Sequence, residues 1–244
     1  MSLKLIALLP AVLITVVVSA QFKKGTRMAG ATIGNIFLNS GSSDVSFPPP
    51  TQGYTANNTS FGLSLSPSLG WFINEHTAVG VSFAINPSKN KITFENGGNT
   101  FQKDESTSFN IGIGGFARNY FSTSSSFIPF GQFSLNAGIS SQKANGFFIA
   151  GSNAYKTTYD GKSSGGFFTN AALSLGMTKL LNPHTGLDIY AGYNFSYTKS
   201  KYKTTTLRDD LNNGSIDLTT VSEPETKFTS HGFMVGVGFQ IFLH

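Results

Sequence analysis

From Phe61 to Ile73 the chain reads F-G-L-S-L-S-P-S-L-G-W-F-I, with odd positions apolar or Pro and nearly every even position Ser or Gly. In an extended strand successive side chains point to opposite faces, so this segment carries one apolar face and one face of very small side chains. The alternation recurs and predicts eight strands at about 27–38, 59–73, 77–86, 107–121, 127–140, 165–181, 185–198 and 228–243. The apolar faces are, for example, Ala29, Ala31, Ile33 and Phe37 on the first strand and Val79, Val81, Phe83 and Ile85 on the third. Pro67 interrupts the second strand; lacking an N–H, it predicts a bulge or a locally broken pairing.

The connections alternate in length. Asn74 to His76, Ser122 to Ser126 and Asn182 to His184 are short, whereas about 39–58, 87–106, 141–164 and 199–227 are long and polar. Short turns at one end and long loops at the other describe an all-β, eight-stranded antiparallel up-and-down transmembrane β-barrel. A soluble up-and-down barrel also alternates, but it turns its apolar face inward and needs a charged exterior. Within the predicted strands, beyond their flanks, the charged residues are essentially Arg118, Lys179 and Asp188. The polar faces are otherwise Gly, Ser, Asn and Thr, which suits a narrow interior filled by side chains.

Composition agrees. Charged residues make up 12% of the chain and Phe is abundant at 23 residues, where a soluble domain carries about 25% charged residues. The net charge of +5 is modest and dispersed among loops, so nucleic-acid binding is not indicated. There is no Cys, which removes disulfides, thiolate metal sites and a Cys nucleophile. Residues 1–20 carry Lys4, an apolar run and Val18-Ser19-Ala20, the features of a cleaved signal peptide. Residues 21–244 then form one barrel domain.

Two segments carry a family resemblance: Phe127-Ile128-Pro129-Phe130-Gly131 opening the fifth strand, and the run from Gly232 to Phe242. With the signal and the eight strands, the chain resembles the small outer-membrane β-barrel domain family of Gram-negative bacteria, the OmpA/OmpX-type and PorT-like barrels. The resemblance spans essentially residues 21–244. It implies a bacterial outer-membrane location with both termini periplasmic, and a C-terminal signal read by the barrel-assembly machinery through Phe233, Val235, Val237, Phe239, Ile241 and Phe242. The family usually finishes on an aromatic residue, whereas this chain ends Phe242-Leu243-His244. Because the sequence ends with the last strand, the tethering role of two-domain relatives is not expected.

Arg118 and Asp188 both fall on the inward register near the short-turn end, where they are placed to meet as an interior pair that fixes register or, alternatively, gates a path. Gln132, Asn170, Tyr190 and Gln240 are within the same region of the pattern. Trp71, Phe72, Tyr120 and Phe121 at one rim, with Tyr193 and Tyr197 toward the other, are expected to form an aromatic girdle. His76, His184, His231 and His244 have no spacing suited to a metal. Ser230 and His231 are adjacent and so point to opposite faces of a strand, which argues against a nucleophile and base pair; a cross-strand partner such as Ser60 is the remaining route to a hydrolase.

The sequence therefore predicts a monomeric outer-membrane barrel with a structural or cell-surface interaction role through four long loops, without cofactor, metal or catalysis. Its surroundings would be outer-membrane lipid and lipopolysaccharide, with an extracellular ligand or envelope protein as a further partner. A narrow passive pore for water, ions or small solutes is the alternative, and a lipid-modifying enzyme the third reading.

Overall fold

The computed structural model describes residues 22–47, 53–122, 126–150 and 155–243. The signal segment, Ala154 and His244 lie outside them. Eight long strands close a ring: β1 (Arg27–Val45), β2 (Tyr54–Phe72), β3 (Thr77–Asn96), β4 (Asn99–Tyr120), β5 (Phe127–Ala150), β6 (Tyr155–Asn182), β7 (Thr185–Asp209) and β9 (Glu225–Leu243). Each pairs antiparallel with its chain neighbours, and β9 pairs with both β7 and β1. A short β8 (Leu218–Ser222) pairs with β7 in the same register as β9, prolonging that ladder across a break at residues 223–224. No described helix is long and apolar enough to cross a membrane, and the ring is the all-β barrel that the alternation predicts.

The long polar segments are mostly not loops. Strands of the ring run 19 to 28 residues, roughly twice the 9–11 residues that cross a bilayer, so the expected loops are largely continuations of the wall. The segment at about 87–106 reduces to a turn at Gly97 and Gly98, both with positive φ (56° and 81°), the conformation a two-residue hairpin requires. Polar composition hid these extensions from periodicity. At the other end, Asn74 and Asn182 accept hydrogen bonds from the backbone N–H of His76 and His184, each at 2.8 Å, which pins two short turns in the same way.

Register settles two further expectations. Pro67 keeps its pairing with Ala31 on β1, but its pairing with β3 lapses between Leu65↔Ile85 and Ser68↔Ser82 with no change of register. The missing N–H breaks the ladder on one side without a bulge. On β1 a bulge between Gly34 and Phe37 reverses the alternation. Beyond it Ile36 and Leu38 are exposed, and Phe37 holds the register position opposite Gly62. The side chain of Phe37, expected on one face with Ala29 and Ile33, is not among the described ones. At the same point β1 and β9 part: their pairing ends at Gly34↔Gly236.

The exterior is an apolar belt, with Leu69, Ile113, Leu135, Leu173, Ile189 and Val237 all exposed. The interior holds glycines overlaid by rings. A Cβ on Gly80 would lie 2.2 Å from the Leu69 carbonyl and 2.7 Å from the Phe116 ring, so Phe116 occupies the space a side chain there would fill. We expect Gly80→Val to prevent closure and to abolish the heat-dependent gel mobility of a folded barrel, whereas Gly41→Val, with open space around it, leaves that shift intact.

The β7–β8 tip is organised by one carboxylate. Asp209 accepts the backbone N–H of Leu211, Asn213 and Gly214 at 3.2, 3.0 and 2.7 Å. Burial pushes its pKa up, but these donors prevail and hold the carboxyl below the ordinary aspartate value. Because the folded pKa is depressed, the stabilisation is complete above the unfolded value of about 3.9 and is lost as pH falls through the folded one. Amide hydrogen exchange at 211–214 should therefore accelerate below about pH 4 relative to the strands, and Asp209→Asn should show the faster exchange already at neutral pH.

Candidate functional site

The barrel has a floor at the short-turn end and a cavity above it. The floor begins with the N-terminal segment. A turn at Lys23–Thr26, closed by Thr26 N–H to the Lys23 carbonyl at 3.0 Å, folds Phe22 back beneath the ring, and Gly25 with a φ of 92° permits that reversal. Phe22 then packs on Phe72, Phe242 and Tyr120 with ring centroids 4.5, 4.7 and 5.0 Å apart. Met28, Ile128, Phe130 and Leu180 complete a fully buried apolar layer.

Over that layer sits the interior pair. Arg118 Nη1 donates to Asp188 Oδ2 at 2.7 Å, with both side chains almost completely inaccessible. Further hydrogen bonds surround the pair. Arg118 Nε donates to Gln132 Oε1 at 2.7 Å and Nη1 to the Tyr120 hydroxyl at 3.1 Å, while its guanidinium lies 4.0 Å from the Phe130 ring centroid. Asp188 accepts from Thr178 Oγ1 at 2.6 Å and from Gln240 Nε2 at 3.0 Å. A buried pair desolvated at this depth persists only when hydrogen bonds compensate it, and here four neighbours, one on each of four strands, supply them.

Of the four polar neighbours expected from the pattern, Gln132 and Gln240 bond the pair, whereas Asn170 and Tyr190 line the cavity above it; Thr178 and Tyr120 join the pair without having been expected there. Tyr120 and Phe72 are not girdle residues: each is 1% exposed and faces inward. Phe242 likewise points into the floor. Strict alternation would have said so, since Trp71 and Phe121 point outward and their neighbours must point in. Trp71, Phe121 and Tyr193 are exposed on the outer wall and Tyr197 is half-buried. Phe233, Val235, Val237, Phe239 and Ile241 form the outward face of β9. Phe22 carried no signal in the periodicity, because it lies before the first strand.

Above the floor is a cavity of about 320 Å³. Its wall is built from Ser64, Ser66, Ser68, Ser82, Ser134 and Ser174, from Asn86, Asn110, Asn136, Asn170 and Asn194, and from the rings of Phe116, Phe168 and Tyr190. Arg118 is the sole ionisable Lys, Arg, Asp, Glu or His side chain on this lining. A second space of about 670 Å³ shares Ser88 and Ser108 with it and continues toward the strand tips past Ser60 and Tyr202. Some wall groups satisfy one another, as Ser82 Oγ does by donating to Asn136 Oδ1 at 2.8 Å. Asn110 Oδ1 is buried without a partner.

Ser230 lines the cavity, whereas His231 pairs with exposed Phe195 and hydrogen-bonds the Tyr193 hydroxyl on the outer wall. The two do not form a nucleophile and base. Ser60 stands on β2, separated from β9 by β1. No group of three or more His, Cys, Asp and Glu among the described residues could hold a metal.

No protein-family model and no curated protein matches this sequence. Solved structures match by fold. The outer-membrane protease OmpT from Escherichia coli superposes with a TM-score of 0.50 at 12% identity, over 90% of this chain and 97% of that one. The outer-membrane protein OprG from Pseudomonas aeruginosa gives 0.39 at 14% identity, over 93% and 99%. Neisserial surface protein A gives 0.32 at 16%, over 88% and 95%. At 12% identity what this chain shares with OmpT is the outer-membrane β-barrel fold.

Removing one member of the floor pair leaves the other charge buried and unpaired, at a cost of about 3–5 kcal/mol. Asp188→Ala should lower the urea midpoint of refolded barrel accordingly, and the double variant Arg118→Met/Asp188→Leu should recover most of the loss. Equal destabilisation by the single and double variants would show that the pair contributes nothing as a pair.

Proposed function

We propose that the protein is an integral outer-membrane barrel, blind at its short-turn end, whose extended strands form a cell-surface interaction module. The floor carries this reading: the stacked Phe22, Phe72, Tyr120 and Phe242 rings beneath the Arg118–Asp188 pair close the lumen at one end. The exposed apolar belt supports membrane residence, because a solvated monomer rarely exposes so continuous an apolar surface. The described residues begin at Phe22 and end at Leu243, both at the short-turn end, which in barrels of this architecture is the periplasmic one, so the strand tips would face outward.

The tips carry the material for surface contact. Lys199, Lys203 and Lys227 pair with Glu225 and Glu223 at 3.2 to 3.5 Å, in exposed pairs that are individually weak. Around them, Arg208 lies over the Tyr155 ring and Lys156 over Phe147, at 4.8 and 5.6 Å. Basic groups at this height suit lipopolysaccharide phosphates, and the aromatic tips suit an envelope or extracellular protein. Assembly through β9 by the barrel-assembly machinery, as a monomer and without a cofactor, belongs to the same reading. The passive-pore alternative would require the floor to open.

The outer-membrane fraction should contain a protein whose gel migration shifts on boiling, and that protein should be silent in planar bilayers. Phe22→Ala/Phe72→Ala should then introduce steady conductance while keeping the heat shift. A conducting wild-type barrel would refute the blind floor and restore the pore; a soluble protein with no heat shift would refute membrane residence.

A further inference from the structure

The cavity above the floor has a chemistry that selects its occupant. An ionic ligand would find no free countercharge, because Arg118 is neutralised by Asp188 at 2.7 Å and the rest of the lining is uncharged. Burying an uncompensated charge there is expensive. An apolar ligand would strip water from serine hydroxyls and asparagine amides and return no hydrogen bonds. Hydroxyl and carboxamide groups each donate and accept, so their match is an uncharged molecule dense in hydroxyls, whose groups also do both.

Two details sharpen this. Asn110 stands on the cavity wall and its Oδ1 accepts no hydrogen bond from the protein, so its carboxamide would pair with a ligand hydroxyl by turning toward the cavity. The rings of Phe116, Phe168 and Tyr190 stand among the polar groups and supply apolar faces for C–H surfaces, the usual complement of an amphipathic ring. We propose that this blind cavity binds an uncharged, hydroxyl-rich group, a saccharide unit entering from the strand tips or from the membrane.

The second route has its own basis. Where β1 and β9 part beyond Gly34↔Gly236, Gly34 and Met234 line the cavity, while Leu38 and Phe233 on the outer wall are 79% and 91% exposed. A sugar carried on a lipid could place its head inside and its chains along these flanks. The proposal deepens the blind surface barrel argued above, and only the lipid-borne route rests on membrane residence.

The test is titration calorimetry of the full-length protein in phosphatidylcholine nanodiscs, after a heat-shift gel has established closure. Glucose, maltose and N-acetylglucosamine probe the free source, and discs containing diglucosyl diacylglycerol, read by competition and by amide NMR of the asparagine side chains, probe the lipid source. Saturable binding of a free sugar, or asparagine shifts with the glycolipid alone, supports the proposal and names the source. Asn110→Leu should weaken binding about tenfold, the scale of one lost buried hydrogen bond, and Ser134→Phe, which fills the lumen, should abolish it; if either fails to close, Asn194→Leu replaces it.

No saturable response to any of these probes in a closed barrel overturns the proposal, as does binding unchanged in the variants. Equally tight binding of gluconate overturns the requirement for an uncharged ligand. Absence of the heat shift would instead count against the membrane barrel itself, so the two failures are distinguishable.

Discussion

Ring closure between β1 and β9 is the constraint on which everything else depends. Backbone N–H and C=O groups in hydrocarbon have no water to pair with, so strands can cross only when the last pairs with the first. Eight register pairs, from Arg27↔Leu243 to Gly34↔Gly236, make that junction, whereas β6 and β7 remain paired over most of their length. The same closure places Phe242 on β9 against Phe22, which precedes β1, while the pairing of β9 with β7 brings Gln240 beside Asp188. The floor is assembled by the seam that completes the ring.

A ring of eight strands leaves a lumen wide enough only for side chains, and the chain uses this in two ways. At the short-turn end large rings and a buried, hydrogen-bonded ion pair fill the section; higher up, Ser, Gly and Asn leave space. Inward glycines let rings from adjacent strands lie flat against the wall: besides Phe116 over Gly80, a Cβ on Gly236 would meet the Tyr190 ring at 2.3 Å. The interior is thus graded from closed to open by side-chain size along the strands, with the polarity of the upper part carried almost entirely by neutral groups.

The period of two was enough to locate the eight strands and their inward and outward faces, because each odd or even choice is repeated across a belt that cannot tolerate a slip. It failed where the pattern carries no hydrophobic contrast. The tips from Lys89 to Asn96 and from Lys143 to Ala150 are strand, yet above the belt neither face is lipid-covered and nothing forces alternation. Phe72 and Tyr120 were misplaced for another reason: aromatic residues beside a rim satisfy the girdle pattern by composition, and only parity distinguishes an outward Trp71 from an inward Phe72.

The sequence by itself therefore determined the barrel, its strand number and the inward placement of Arg118 and Asp188, since these follow from local alternation and turn spacing. Tertiary structure decided what closes the lumen and what remains open. Phe22 reaches the floor through a turn before β1, Arg118 and Gln240 reach Asp188 from 70 and 52 residues away, and the β1 bulge reverses a face within one strand. The contacts to Asp188 and the stacking of Phe22 on Phe72, Tyr120 and Phe242 are non-local, set by register and by the dimensions of the closed ring, and no short window along the chain contains both partners.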